Sequence, residues 1–398
     1  MRERVLMKKR VLMIIPVLSG GGAERVVSYL TMQLKERYQI DILLDYDNVG
    51  YAYSGKIMRI NSGIKRAPNS FNELCTYIRK FFVLRKMKKL QKYDCYISHS
   101  AISDLLNVMT GNKKCDVILT LHVKPTNMKQ SRISVILDFF SRHFMKKADR
   151  MIAVSEGVRR EYIRDYSIPP EKIVSIWNGT DINEIRRKKE EPLPPEKQQW
   201  FVPERTVVTM GRLCEQKGQY YLLRAFSKVV EKIPDARLLI LGEGPLKKNL
   251  VELAVERNIQ NNVIFCGFQK NPFSVLAAAD LFVFPSLWEG FGYALEEAIC
   301  CGLPCISSDF QYGAREILHY NSGEKITDAV YTDLGVLVPV CGGEKKGALT
   351  AAENVLADSI LKVLADKEYR QSVVENNEKR LAEFSLEIMG DRWAEVIG

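Results

Sequence analysis

At 398 residues the chain exceeds what one hydrophobic core usually supports, so two domains are expected. Apolar residues at 46% and charged residues at 27% exclude a globally disordered chain. The net charge of +10 is unevenly spread: residues 1–181 hold 32 Lys and Arg against 17 Asp and Glu, and the remainder holds 26 against 31. A basic first half points to an anionic partner, whether membrane phospholipid, nucleic acid or a phosphorylated substrate.

The first stretch, MRERVLMKKRVLMIIPVLSGGGA, has the outline of a signal peptide. Pro16 and the following GGGAER read better as a strand running into a glycine loop and a helix. Arg10–Val17 is then a buried parallel strand, and Ala23–Lys35 has helical spacing through Val26, Val27, Leu30 and Leu34. Strand-like runs recur at Gln39–Leu44, Lys56–Ile60, Asp94–Ser98, Asp116–Leu121, Arg150–Val154 and Lys172–Trp177, with helical stretches between. That alternation predicts βαβ units and a doubly wound parallel sheet.

Phe71–Tyr93 predicts a basic amphipathic helix, with Phe71, Leu74, Ile78, Phe81, Phe82 and Leu90 as its apolar side. It is either a contact for an anionic membrane surface or a surface helix packed on the sheet. Nothing resembles a recognition-helix module, so no nucleic-acid partner is expected. The Asp45–Asp47 stretch, DYD, resembles a metal-binding pair but lacks supporting ligands and reads as a loop start.

Glu184–Pro203 interrupts the alternation with a charge run and prolines and is the linker candidate. A second alternation comes after it, with strands at Thr206–Met210, Arg237–Leu241, Val263–Cys266, Leu281–Pro285, Pro304–Ser307 and Gly335–Val338. The chain then ends in helical stretches Ala351–Ala365, Lys367–Ala382 and Leu386–Ile397. The reading is a Rossmann-like domain at 1–183, a linker at 184–203 and a second Rossmann-like domain at 204–380. Residues 381–398 form a final helix that could return to the first domain. The fold class is α/β, with a cleft between the two halves as the expected ligand site.

No apolar run reaches the 18 or so residues of a membrane span. Nine cysteines show no C-x-x-C spacing, and four histidines are too few to suggest a zinc site. Several cysteines fall in strand-like runs, as expected of buried, reduced thiols in a cytosolic protein.

Motifs cluster where strands run into helices. SGGGAER (Ser19–Arg25) places Gly21 and Gly22 at a helix start, a context for binding anions through backbone N–H groups, although a plain tight turn fits as well. It is neither a dinucleotide fingerprint nor a P-loop. GRLCEQKG (Gly211–Gly218) supplies Arg212 and Lys217 at a strand's carboxyl end, which suits a diphosphate. In LGEGP (Leu241–Pro245), Pro245 is expected at the first helical position, and Glu243 either meets a nucleobase or ribose or caps the turn.

His122 lies just past a strand end and is either structural or functional. Leu281–Ile317 reads as strand, glycine turn, helix, strand and loop. Glu289 and Glu297 bracket the turn, with Gly290 and Gly292 flanking Phe291 so that backbone amides can approach a ligand.

GGAER, WNGTD (Trp177–Asp181), GRLCEQKG, LGEGP and PSLWEGFGYALEEAICCGLPCISSD together resemble the retaining GT-B glycosyltransferases of family 4, in that family's order and over nearly the whole chain. The closing DFQYGAREIL is similar to the branch that builds bacterial surface polysaccharides, with Ala314 where that branch often has proline. The resemblance implies that Gly21 and Gly22 let a loop close over the donor and that Arg212 and Lys217 hold the diphosphate. It implies that Glu297 meets the ribose, that Glu289 with Gly290, Phe291 and Gly292 orients the sugar, and that His122 lies near it.

The same resemblance implies a metal-independent hexosyltransferase with no cofactor beyond its nucleotide-sugar substrate. It would use a UDP-linked donor and a glycan acceptor of the polyprenyl-diphosphate kind, and the basic first half with its amphipathic helix adds the expectation of a peripheral place on the cytoplasmic face of the membrane. Rivals are a GT-B nucleotide-sugar epimerase and a non-catalytic nucleotide-sugar-binding protein.

Overall fold

The computed structural model describes residues 8–62, 70–111, 114–122, 138–140, 142–343 and 347–398. The chain forms two units, Met1–Gly179 with Leu386–Gly398, and Thr180–Ser385.

Among the described residues the first unit carries seven strands: β1 (Arg10–Ile15), β2 (Gln39–Leu44), β3 (Lys56–Arg59), β4 (Cys95–Ser98), β5 (Asp116–Leu121), β6 (Arg150–Ala153) and β7 (Ile173–Ser175). They form one sheet in the order β3-β2-β1-β4-β5-β6-β7, and every pairing is parallel. The order reverses between β1 and β4, which is the switch point of a doubly wound sheet. Val11–Ile15 of β1 are all buried, because helices cover both faces of a central parallel strand.

The final helix, Leu386–Ile397, belongs to this unit and packs beside the helix Gly22–Leu34. Basic side chains from the sheet satisfy its terminal carbonyls. Lys9 Nζ donates to Ile397 O at 2.6 Å and Arg150 Nη1 to Val396 O at 2.9 Å. The WNGTD turn meets it at Gly179, where an added Cβ would lie 3.0 Å from Met389 Cβ and 3.1 Å from Leu386 Cα. That close approach accounts for the glycine.

The basic helix, Ser70–Lys89, does not pack on the sheet by its apolar side, so of the two alternatives the packed reading with that side inward fails. Thr76, Lys80, Leu84 and Lys88 face inward, while Leu74, Ile78 and Phe82 are 56%, 51% and 63% exposed. The reason is that partners wait for the two lysines. Lys80 Nζ lies 2.8 Å from Asp45 Oδ1 at the end of β2 and donates to Ser103 Oγ at 2.8 Å. Lys88 Nζ donates to the carbonyls of Asn107 (2.6 Å) and Gly111 (2.8 Å). Asp45 of the DYD stretch therefore anchors this helix.

The second unit repeats the plan with β8 (Thr206–Met210), β9 (Arg237–Leu241), β10 (Val263–Gly267), β11 (Leu281–Phe284), β12 (Cys305–Ser308), β13 (Val330–Thr332) and β14 (Gly335–Val338). Its order is β10-β9-β8-β11-β12-β14-β13, parallel except for the β13–β14 edge pair. The switch point falls between β8 and β11. Helix Gln219–Lys232 is tied to helix Ala351–Ala365 by a fully buried ion pair, Arg224 Nε to Glu353 Oε1 at 2.5 Å. Glu353 also completes a capping box with Thr350.

Two features of the second unit differ from the sequence expectation. The proposed linker is built into the second unit: helix Ile182–Lys189 buries Ile185 and packs on helix Phe273–Ala277, and Asn271 Nδ2 donates to Lys188 O at 2.8 Å. Its charge run is the solvated side of a packed helix. Pro245 lies in a turn ahead of helix Lys247–Glu256, not at its first position. The edge strand β13 was not anticipated. All nine cysteines are free, and five of them are buried.

Candidate functional site

In the second unit the expected residues gather at the carboxyl ends of β8, β9 and β11. Glycines bring these strand ends together. An added Cβ on Gly242 would lie 2.1 Å from Gly211 O, and one on Gly244 would lie 2.3 Å from Leu213 O, so the GRLC and LGEGP loops meet backbone to backbone. Leu213 N–H donates to Glu243 O at 3.0 Å across that seam. The Glu243 side chain is half exposed and pairs with Lys247 at 3.0 Å.

The turn Glu215–Lys217 is laced to the loop after β11. Gly218 has φ +66°, and a Cβ there would lie 2.0 Å from Pro285 O. Leu287 N–H donates to Gln216 O at 2.7 Å, and Gln216 Nε2 donates to Trp288 O at 2.9 Å and to Glu289 Oε2 at 3.2 Å. Lys217 Nζ reaches Glu289 Oε1 at 2.6 Å, and Ser286 Oγ donates to the same oxygen at 2.8 Å.

Glu289 is thus a carboxylate held by an ammonium, a hydroxyl and an amide. Arg212 is exposed, and its side chain has no hydrogen-bond or ion-pair partner among the described residues.

Past Glu289 the chain runs through Gly290 and buried Phe291 to Gly292, which starts helix Tyr293–Cys300 at φ +115° with no side-chain cap. Glu297 is buried on that helix, a little over one turn from its start, while Glu289 lies in the loop ahead of it. Gly313 presses on the same loop: a Cβ there would lie 1.9 Å from Phe291 O. Ala314 then opens helix Ala314–Ile317, at a position where proline is readily accommodated, so alanine in place of proline breaks nothing locally.

The first unit holds Gly21, Gly22 and His122. Gly21 precedes helix Gly22–Leu34 with no side-chain cap, and a Cβ there would lie 2.2 Å from the Glu24 carboxylate, which folds back over it. His122 follows β5, and burial pushes its imidazole down to about 4. It is neutral at pH 7.

Gln216 and Ser286 were not anticipated, although both lie within motifs read from the sequence. Their contribution is to hold Glu289, and a partner of that kind becomes visible only when β8 and β11 are seen side by side. No cluster of three or more His, Cys, Asp or Glu that could hold a metal is found among the described residues.

Two family models divide the chain: Glycosyltransferase Family 4 matches residues 20–184, and Glycosyl transferases group 1 matches residues 193–380. The chain is 34% identical over 337 residues to an uncharacterized glycosyltransferase of Methanocaldococcus jannaschii, covering 80% of this chain and 83% of that one. It is 28% identical over 307 residues to the N-acetylgalactosamine-N,N'-diacetylbacillosaminyl-diphospho-undecaprenol 4-alpha-N-acetylgalactosaminyltransferase of Campylobacter jejuni, covering 75% and 80%.

Among solved structures, Anabaena HepE in complex with UDP and glucose superposes with a TM-score of 0.72 at 18% identity, over 97% of this chain and 98% of that one. Sucrose-phosphate synthase from Thermosynechococcus elongatus gives 0.77 at 19%, over 98% of both. At those identities the likeness concerns the fold, two Rossmann-like halves of the GT-B kind.

Proposed function

We propose that this chain, a member of the glycosyltransferase family defined by those two matches, is a retaining transferase that moves a hexose or N-acetylhexosamine from a UDP-linked sugar to a lipid-linked glycan. That it is a glycosyltransferase using a nucleotide sugar follows from the family. The finer reading is supported above all by Arg212, exposed and without a side-chain partner among the described residues, which follows Gly211, the glycine on which the Lys217 side chain packs while its ammonium is held against Glu289 at 2.6 Å.

In this reading Arg212 and Lys217 bind the donor's diphosphate, the guanidinium as a fork and the ammonium as a point charge. As the bond between the sugar's anomeric carbon and the diphosphate breaks, its electron pair moves to the phosphate oxygen, and the two cations stabilise that charge. Glu289 and the Gly290–Gly292 backbone orient the sugar, Glu297 accepts from the ribose hydroxyls, and Glu243 lies toward the base. Gly21, Gly22 and His122 are the first unit's contributions to donor handling. The acceptor hydroxyl attacks on the face the diphosphate leaves, giving its proton to the departing phosphate oxygen. Glu289 is committed to Lys217 and the sugar, so a covalent route has no spare carboxylate, and the two cations do the work a divalent metal would otherwise do.

The acceptor part draws on the Campylobacter relative, whose name specifies a diphospho-undecaprenol acceptor. Membrane association draws on helix Ser70–Lys89, where exposed Leu74, Ile78 and Phe82 stand among exposed Arg79, Arg85, Lys86 and Lys89. Apolar side chains ringed by cations suit the anionic cytoplasmic face of a membrane. No helix among the described residues is long and apolar enough to cross one.

Thermal-shift screening with UDP, GDP, ADP and their common sugars tests the donor assignment. A UDP compound far above its dissociation constant should stabilise the protein by roughly 3 kcal/mol. Stabilisation by GDP or ADP compounds alone would reject it. Incubating the donor without acceptor separates this reading from an epimerase, which converts the sugar unaided.

A further inference from the structure

The donor reading leaves unexplained a group of buried polar atoms at the carboxyl end of the first unit's sheet. β4 and β5 pair in parallel, Ile97 with Ile118 and Ser98 with Leu119, so the next pair along is His99 and Thr120. Side chains alternate along strands, which brings His99, Thr120 and His122 out on one face. The ring geometry agrees. The centroids of His99 and His122 are 6.0 Å apart, and Trp393 stacks on His99 at 5.8 Å with 24° between the planes. Trp393 comes from the returning helix Leu386–Ile397 and is buried.

His99 is 1% exposed, yet neither of its ring nitrogens has a hydrogen-bond partner among the described residues, and the same holds for His122 Nε2 and Thr120 Oγ1. A phenylalanine would fill the same space without burying two polar atoms, so packing alone does not explain a histidine here. Burial and the neighbouring His122 hold the His99 imidazole well below its ordinary range, so it is neutral. A neutral ring has one N–H to donate and one lone pair to accept. The rings form no direct hydrogen bond, but their separation suits a single bridging water, which needs two to four polar partners.

We propose that His99 is a positioning residue for His122: a water shared by the two imidazoles, with Thr120 as a third partner, fixes the tautomer of His122, and Trp393 clamps His99 in place. The functional weight of this rests on the reading that His122 contacts the donor. The returning helix then has a part in the site's chemistry through Trp393.

The test uses the full chain labelled with [15N]histidine. With only four histidines (His99, His122, His143 and His319), each ring can be assigned, and long-range 1H–15N correlations distinguish the two neutral tautomers. The wild type should show His122 in one tautomer. His99→Phe keeps a ring against Trp393 and removes both nitrogens, and His122 should then average between tautomers while His143 and His319 stay unchanged. Thr120→Val, a milder change, should loosen the preference in the same direction.

A folded His99→Phe protein in which His122 keeps its wild-type signature overturns the proposal. So does a wild type in which His122 already averages. The readout needs no turnover: loss of the donor-contact reading, seen as normal transfer by His122→Ala, leaves the tautomer result to be judged on its own.

Discussion

Lys217 Nζ lies 2.6 Å from Glu289 Oε1, so the cation assigned to the diphosphate is already paired with the carboxylate assigned to the sugar. Both side chains are mostly buried, and Ser286 and Gln216 hold the carboxylate from the other side. Donor binding therefore inserts a second anion beside an existing ion pair. Lys217→Ala should lower kcat/KM by about 100- to 1000-fold, the usual cost of losing one transition-state charge partner. Glu289→Gln should leave UDP affinity equal or tighter, because the ammonium is released toward the phosphate, while transfer falls. Calorimetric UDP titration of both variants checks this, and a loss of UDP binding in Glu289→Gln would contradict it.

A second expectation concerns pH. His122 is pushed down to about 4 and His99 well below its ordinary 6.5, so in this window the unfolded chain binds more protons than the folded one. The stability that neutral imidazoles contribute is complete above pH 6.5 and is lost as pH falls toward 4. For His122 the loss is on the order of 3 kcal/mol. Urea melts at pH 7 and pH 4.5 should show a smaller acid loss in His122→Phe than in the wild type.

The inverted helix makes a pair of opposite forecasts. Replacing exposed Leu74, Ile78 and Phe82 with serine should leave the melting temperature nearly unchanged and abolish flotation with phosphatidylglycerol vesicles at moderate salt. Lys80→Ala leaves Asp45 buried without its cation and should cost about 3–5 kcal/mol. If the triple variant still floats, the membrane assignment of this face is wrong.

In the second unit, Glu353→Ala strands the buried Arg224 guanidinium and should also cost about 3–5 kcal/mol. The double replacement Arg224→Met with Glu353→Leu should recover most of that loss, since a well-packed apolar pair needs no compensating charge. Equal destabilisation of single and double variants in denaturant melts would count against this.

Much of this architecture is legible in sequence because parallel strands buried on both faces are written as continuous apolar runs. RVLMII, DVILTL and TVVTM leave little choice. The glycine motifs are legible for a related reason: Gly242, Gly244 and Gly313 stand where another backbone leaves no room for a Cβ.

Non-local pairing is what the sequence hides. Lys80 and Lys88 look like surface charges until Asp45 and the carbonyls of Asn107 and Gly111 come into view. RRKK at Arg186–Lys189 reads as linker because a single buried residue, Ile185, fixes its helix. Val330–Thr332 is three half-buried residues with no pattern of their own, and only the neighbouring β14 makes them a strand.

Transfer from a UDP sugar through Arg212 can be read by radiolabel transfer. Wild-type protein and Arg212→Ala would be incubated with labelled UDP-hexoses and UDP-N-acetylhexosamines and with membranes containing polyprenyl-diphosphate-linked glycans. Label should enter the lipid extract with wild type and at least about 100-fold less with Arg212→Ala. Equal incorporation by the two proteins, or transfer only from GDP- or ADP-linked sugars, would contradict it.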